Sequence, residues 1–182
     1  KAGDEVSIFP SRGSNAVPTA FNPSTGLIYT STWNIPRIQQ IAPPKEQVLG
    51  GDSTGINGRF PTFEPGEVLG HFLAIDPLTG EKHWEIPLTD FPSSAGMLAT
   101  GGGLAFTGKA TGEFIALDQE TGETLWQFKT GSSINSTAIT YTHNGQQYVS
   151  VTSGLGGLLA NRYAAGKVPT GGAVWTFALM PE

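Results

Sequence analysis

Three histidines and a few carboxylates are the side chains best suited here to acid–base or metal chemistry. His71, His83 and His143 stand far apart. They share no ligand spacing with one another or with a carboxylate, so they are read as strand or turn residues. Asp76, Asp118 and Glu123 fall inside a turn that the sequence repeats, where structure alone accounts for them. No Ser-His-Asp set, phosphate loop or HExxH pair occurs. Cysteine is absent, which removes disulfides, thiolate metal sites and CxxCH haem attachment from this chain. One further run, SGLGG at residues 153–157, has glycines that let a backbone approach a flat ligand closely, although propeller strand ends use such turns for steric reasons too.

The elements that must position these groups announce themselves through a repeat. AIDPLTGEKHW at residues 74–84 returns as ALDQETGETLW at residues 116–126, the copies beginning 42 residues apart. A period of about 40–45 residues, carrying a strand, a polar Gly turn and a strand ending in Trp, predicts four-stranded blades arranged around an axis. Asp76 and Asp118 can accept backbone N–H bonds within the turn, and Gly80 and Gly122 can take the positive φ that a Cβ disfavours. Trp84 and Trp126 are expected to wedge between blades, each indole N–H finding a partner, with ligand stacking as the lesser alternative. Removing one such buried ring costs about 3–5 kcal/mol.

The 182 residues fit one domain, 1–182, and hold about four blades at this period. The 25 Gly, 13 Pro, short apolar runs and lack of a sustained 3.6-residue period make the chain all-β with scarce helix. A net charge of −5, with ten Lys and Arg and no basic run, argues against nucleic acid and anionic membrane as partners. No stretch approaches 18 apolar residues, so no membrane span is expected. The opening KAGDEVSIFP lacks the apolar core of a secretion signal and reads as a mature or internal start.

Strand-like runs are predicted at residues 6–9, 17–21, 27–33, 71–75, 83–86, 104–107, 114–117, 125–128, 138–141, 148–152 and 173–179. AFNPSTGLIY, residues 20–29, keeps the Asn-Pro-x-Thr-Gly turn without the Trp and reads as a degenerate copy of the repeat. Between residues 34 and 67 the pattern breaks in a stretch dense in Pro and Gly. It is read as a long loop, a candidate active-site rim anchored by Ile38, Ile41 and Phe60.

From residue 102 to 157 the string GGLAFTGKATGEFIALDQETGETLWQFKTGSSINSTAITYTHNGQQYVSVTSGLGG closely resembles the C-terminal blades of pyrroloquinoline quinone (PQQ)-dependent alcohol dehydrogenases. The resemblance extends to Gly3, Asp4, Phe9, Pro10, Gly13, Asn15, the FNPSTGLIYT turn and the last strand, VWTFAL. It implies an eight-bladed all-β propeller with PQQ on its axis, a calcium or lanthanide ion beside it, and an Asp base that oxidises an alcohol to an aldehyde or ketone. In that family the metal carboxylates and the catalytic Asp belong to earlier blades, so neither catalytic nor metal residues are assigned to this chain. Expected partners are an N-terminal remainder that completes the ring, the alcohol, and cytochrome c or a similar acceptor in the periplasm. Three or four blades alone would leave sheet edges and apolar faces uncovered.

Carried over one at a time, the resemblance implies four cofactor contacts. Asn15 matches an Asn whose amide lies near the quinone, a donor and acceptor suited to a group that alternates between carbonyl and hydroxyl. Ser94, in FPSSAGML, stands where many relatives place a Trp followed by two glycines, which implies a wider wall. Gly157 offers backbone contact, and Leu158 replaces a residue that is aromatic in some relatives. The alternative is a non-enzymatic propeller scaffold similar to outer-membrane assembly lipoproteins, which would need neither the Gly-x-Asn segment nor SGLGG.

Overall fold

Four antiparallel sheets organise the computed structural model, which describes residues 3–14, 17–42, 49, 55–156 and 166–179. The first blade orders its strands β2 (Ala20–Asn22), β3 (Leu27–Trp33), β6 (Gly70–Ile75) and β7 (Lys82–Leu88). The second orders β8 (Leu98–Ala99), β9 (Leu104–Gly108), β10 (Glu113–Asp118) and β11 (Thr124–Lys129). A third sheet joins β12 (Ile139–His143), β13 (Gln146–Ser153) and β14 (Ala173–Ala178). The fourth, β1 (Glu5–Ile8) with β4 (Arg37–Ile41) and β5 (Ile56–Arg59), stands outside the blade series. No helix occurs among the described residues.

The two Trp phrases fold as one hairpin made twice. Ala74 opposes Trp84 and Ala116 opposes Trp126, and both ladders shift register one residue later, between Ala74 and Ile75 and between Ala116 and Leu117. Asp76 Oδ1 accepts the amides of Leu78 and Thr79 at 2.7 and 3.3 Å, and Asp118 Oδ1 those of Glu120 and Thr121 at 2.9 and 2.8 Å. Backbone donors, chiefly Leu78 N–H for Asp76 and Thr121 N–H for Asp118, hold both carboxyls below their usual range. Gly80 and Gly122 take φ of 76° and 75°.

Packing between the first two blades explains why the phrase ends in Trp. The Trp84 indole N–H donates to Gln119 O at 2.9 Å, across the blade boundary. Its ring covers Gly122 so closely that a Cβ there would lie 2.8 Å from Trp84 Cδ2. Gln119 adds a clasp, its Oε1 taking the Asn22 amide while its Nε2 donates to Thr100 O and Leu104 O at 2.9 and 2.8 Å. Tyr29, Phe72 and Leu88 of the first blade and Met97, Ile115 and Leu117 of the second share this core. Phe114 of the second blade meets Ile134, Val149 and Val151 toward the third sheet.

Trp126 also packs on the neighbouring sheet but is less covered than Trp84. It lies edge-on to Phe177 of β14, centroids 5.0 Å apart, but remains 39% exposed. Among the described residues, the sheet it meets has the two-residue hairpin at Asn144 and Gly145 between β12 and β13 and no counterpart of the Asp-to-Gly turn. Conversely, Gly80 has no atom within 4 Å of a built Cβ, where Gly122 has an indole.

Two readings of the sequence need correction. Residues 34–67 are not one long loop, because β4 and β5 form a hairpin there, paired Ile38 to Arg59 and Ile41 to Ile56, that docks on β1. AFNPSTGLIY is the β2–β3 hairpin of the first blade, not a degenerate copy of the β6–β7 phrase. Its turn has the same local chemistry, Ser24 N–H to Asn22 Oδ1 at 2.9 Å and Gly26 N–H to Asn22 O at 2.8 Å, which closes any hairpin of this length.

Candidate functional site

Each blade is entered through its first strand, and the three segments leading into β2, β8 and β12 come together. β2 and β8 are edge strands of adjacent blades and lie against each other. Ahead of them, Gly13, Ser14, Val17 and Pro18, then Ser94, then Asn135 and Thr137 line one cavity of about 300 Å³, completed by Arg12 and Trp33. A roomier groove of about 580 Å³ lies elsewhere, at Asp76, Glu81, Lys82, His83 and Glu120. That groove lies at the hairpin turns and the first residues of β7.

The cavity wall from Ser93 to Met97 is pinned at nearly every polar group. Ser93 Oγ donates to Gly108 O at 2.8 Å and accepts Ala95 N–H at 3.1 Å, while Ser93 O accepts the Trp33 indole N–H at 2.6 Å. Ala95 O takes the Ser31 hydroxyl at 3.0 Å, and Gly96 O takes that of Thr107 at 3.2 Å. Met97 N–H reaches Pro18 O at 3.1 Å. At Gly96 a side chain has no room, since a Cβ would sit 2.1 Å from Thr137 Oγ1. Ser94 is therefore the side chain this segment turns toward the cavity, half-buried on a backbone that cannot retreat.

The opposite wall is strapped to the end of β3. Trp33 N–H donates to Gly13 O at 2.9 Å, Ser11 N–H to Ile35 O at 2.8 Å, and the Ser14 and Thr30 hydroxyls meet at 2.9 Å. Trp33 is buried with Ile35 and Leu69, so its ring belongs to the core. The Arg12 guanidinium lies over that ring, 5.2 Å from its centroid. On the third side, Asn135 Nδ2 donates to Ser133 Oγ at 2.9 Å and to Gly156 O at 3.4 Å, which ties the cavity to the SGLGG run.

Of the four residues carried over by resemblance, Ser94 lines this cavity. Asn15, Gly157 and Leu158 lie outside the described residues. Ser14, next to Asn15, and Val17, two residues after it, line the cavity, and Gly156, ahead of Gly157, bonds a lining residue. Arg12, Trp33, Asn135 and Thr137 are lining residues that the sequence reading did not single out. One signal could have found Asn135: it lies 41 residues after Ser94, close to the repeat period. The histidines keep structural company. His71 Nε2 is 3.2 Å from Glu85 Oε1, and Lys82, then His71, hold that carboxyl below its usual range.

Among the described residues, the lining offers hydroxyls at Ser14, Ser94 and Thr137, an amide at Asn135, and one cation, Arg12. Such a set suits a flat, oxygen-rich organic ligand bound by donors, since hydroxyls and an amide can serve both carbonyl and hydroxyl forms.

Comparison with known proteins bears on the fold and the family. The family model for the PQQ glucose/ethanol/alcohol dehydrogenase beta-propeller domain matches residues 69–149. A quinohemoprotein alcohol dehydrogenase of Comamonas testosteroni is 34% identical over 91% of this chain and 25% of its own length. A 1-butanol dehydrogenase (cytochrome c) of Thauera butanivorans is 33% identical over 93% of this chain and 26% of its own. Among solved structures, a europium-containing methanol dehydrogenase superposes with a TM-score of 0.84 at 32% identity, covering 98% of this chain and 36% of that one. The chain therefore spans about a quarter of the curated relatives it matches. Its blades are a portion of a larger propeller, and the chain belongs to the PQQ-dependent alcohol dehydrogenase family.

Proposed function

We propose that this chain is the C-terminal portion of a PQQ-dependent dehydrogenase that oxidises an alcohol to an aldehyde or ketone, and that it supplies one side of the quinone cavity. The observation that carries this reading is the convergence of three distant segments, those at Ser14, Ser94 and Asn135, on one donor-lined cavity where the blades meet. The chemistry a bound quinone supplies is two-electron oxidation, the acceptance of hydride from the alcohol carbon. Ser94 then forms a small, fixed stretch of wall. Asn15 offers its amide to a quinone oxygen, Gly157 its backbone, and Leu158 an apolar contact.

A calcium or lanthanide ion belongs to the same reading, in keeping with the europium named for the similar methanol dehydrogenase. Among the described residues no group of three or more His, Cys, Asp or Glu side chains could hold a metal. The ion's ligands and the proton-accepting Asp are assigned to the remaining blades of an eight-bladed ring, which also cover the apolar faces left open here. Ile139 and Val174, 61% and 72% exposed, mark one such face. Cytochrome c is the proposed electron acceptor, in keeping with the name of the Thauera butanivorans relative, and the periplasm the proposed compartment. No helix among the described residues is long and apolar enough to cross a membrane.

The test uses the complete polypeptide that carries this chain, loaded with PQQ and either calcium or a lanthanide. Dye reduction that requires both the quinone and a primary alcohol is the expected result. A correctly folded ring that neither retains quinone nor reduces dye contradicts the proposal.

A further inference from the structure

We infer that Arg12 is the anion-recognition residue of the hub cavity, so that its ligand is held by a carboxylate as well as by neutral hydrogen bonds. The inference rests on the quinone reading above and adds to it a charge requirement and a named residue. Among the described residues, Arg12 is the one charged member of the cavity lining, whose other polar members, Ser14, Ser94, Asn135 and Thr137, are neutral. Arg59 pairs with Glu5 at 3.0 Å, Lys82 with Glu85 at 2.5 Å and Lys129 with Glu113, whereas Arg12 lies over an aromatic ring, as Arg37 does over Phe60 and Lys167 over Phe91. Among the described residues no such ion pair is formed by Arg12.

Arg12 rests instead on the face of Trp33, and Trp33 is itself immobilised. Its ring is 3% exposed and its indole N–H is bonded to Ser93 O at 2.6 Å. A cation over an aromatic face is oriented without being neutralised. The guanidinium edge therefore keeps its N–H donors free for a planar anion, and a carboxylate can take two of them in parallel. In a chain of net charge −5, a cation in a lining whose other described members are neutral selects for an acidic ligand.

Carboxylate recognition can be separated from mere occupancy by comparing PQQ, a tricarboxylic acid, with its trimethyl ester. Both would be titrated into the complete metal-loaded protein, with quenching of tryptophan fluorescence as the readout. Arg12→Gln is expected to weaken binding of the acid about tenfold and that of the ester less than twofold. Arg12→Lys, which keeps the charge without the planar fork, should fall between. Raising salt from about 0.02 to 0.5 M should weaken the acid on the parent protein and do so less on Arg12→Gln. Equal losses for acid and ester would mean that Arg12 only props the Trp33 wall and would overturn the inference, as would an unchanged affinity for the acid. If the parent protein binds neither compound, the quinone reading itself fails, and this inference fails with it.

Discussion

Adding a single methyl group at Gly122 tests the inter-blade dock with a built-in control. Two costs combine there. The backbone has φ of 75°, which an L-residue occupies at about 1–2 kcal/mol. The new Cβ would also lie 2.8 Å from Trp84 Cδ2, so the indole must move, straining its 2.9 Å bond to Gln119 O. Overpacking of this kind costs about 1–3 kcal/mol. Gly122→Ala should therefore destabilise by about 2–5 kcal/mol. Gly103, in the same blade, has φ of 81° and nothing within 4 Å of a built Cβ, so Gly103→Ala should cost only the backbone part, about 1–2 kcal/mol. Urea denaturation of both variants, each also in a Trp84→Ala background, gives a double-mutant cycle. With Trp84 gone, Gly122→Ala should cost no more than Gly103→Ala. Equal costs for the two alanines in the presence of Trp84 would refute the claim that ring-on-glycine packing holds the blades together.

Three further outcomes follow from the same geometry. Trp84→Ala should cost about 3–5 kcal/mol and Trp126→Ala about 1–3, because Trp84 is 8% exposed and Trp126 39%; chemical denaturation of both variants checks the order. The depressed carboxyls of Asp76 and Asp118 contribute stability that is fully present above the ordinary Asp range and fades as pH falls through their lowered folded values. Urea midpoints followed below about pH 4 should show this loss, and Asp118→Asn should flatten it. Ser94→Trp cannot be relieved by a shift of the pinned 93–97 backbone, so kcat/KM for a branched or aromatic alcohol should fall about tenfold or more relative to ethanol.

The parts of the fold legible in the sequence were those with local causes. Trp84, Trp126 and the Asp-to-Gly turns are self-contained hairpins, and β3, read from its apolar run, has the predicted bounds. What escaped has physical reasons too. RIQQI and INGR in β4 and β5 are polar, and the β5 residues are exposed on both faces, so no alternation marks them as strands. β8 is two residues long, too short for any pattern, yet the segment leading into it lines the cavity through Ser94. The NPSTG turn misled because an Asn or Asp followed by Gly closes a hairpin wherever it falls, including β2–β3.

The cavity was legible only where resemblance marked a residue. Ser94 was found through a missing Trp. Arg12, Trp33 and Thr137 were not, because what unites them is the meeting of three strand-leading segments far apart in the chain, and no local period records that meeting. Gln119 was likewise overlooked. It stands where the first phrase has Pro77, and its side chain bridges Asn22 with Thr100 and Leu104.

The most direct measurement is an experimental structure of the complete protein loaded with PQQ and metal. The account predicts quinone density in the cavity bounded by Ser14, Ser94 and Asn135, with a carboxylate of the quinone at Arg12. A quinone bound away from Ser94 and Asn135, in a cavity built wholly by other blades, would contradict it.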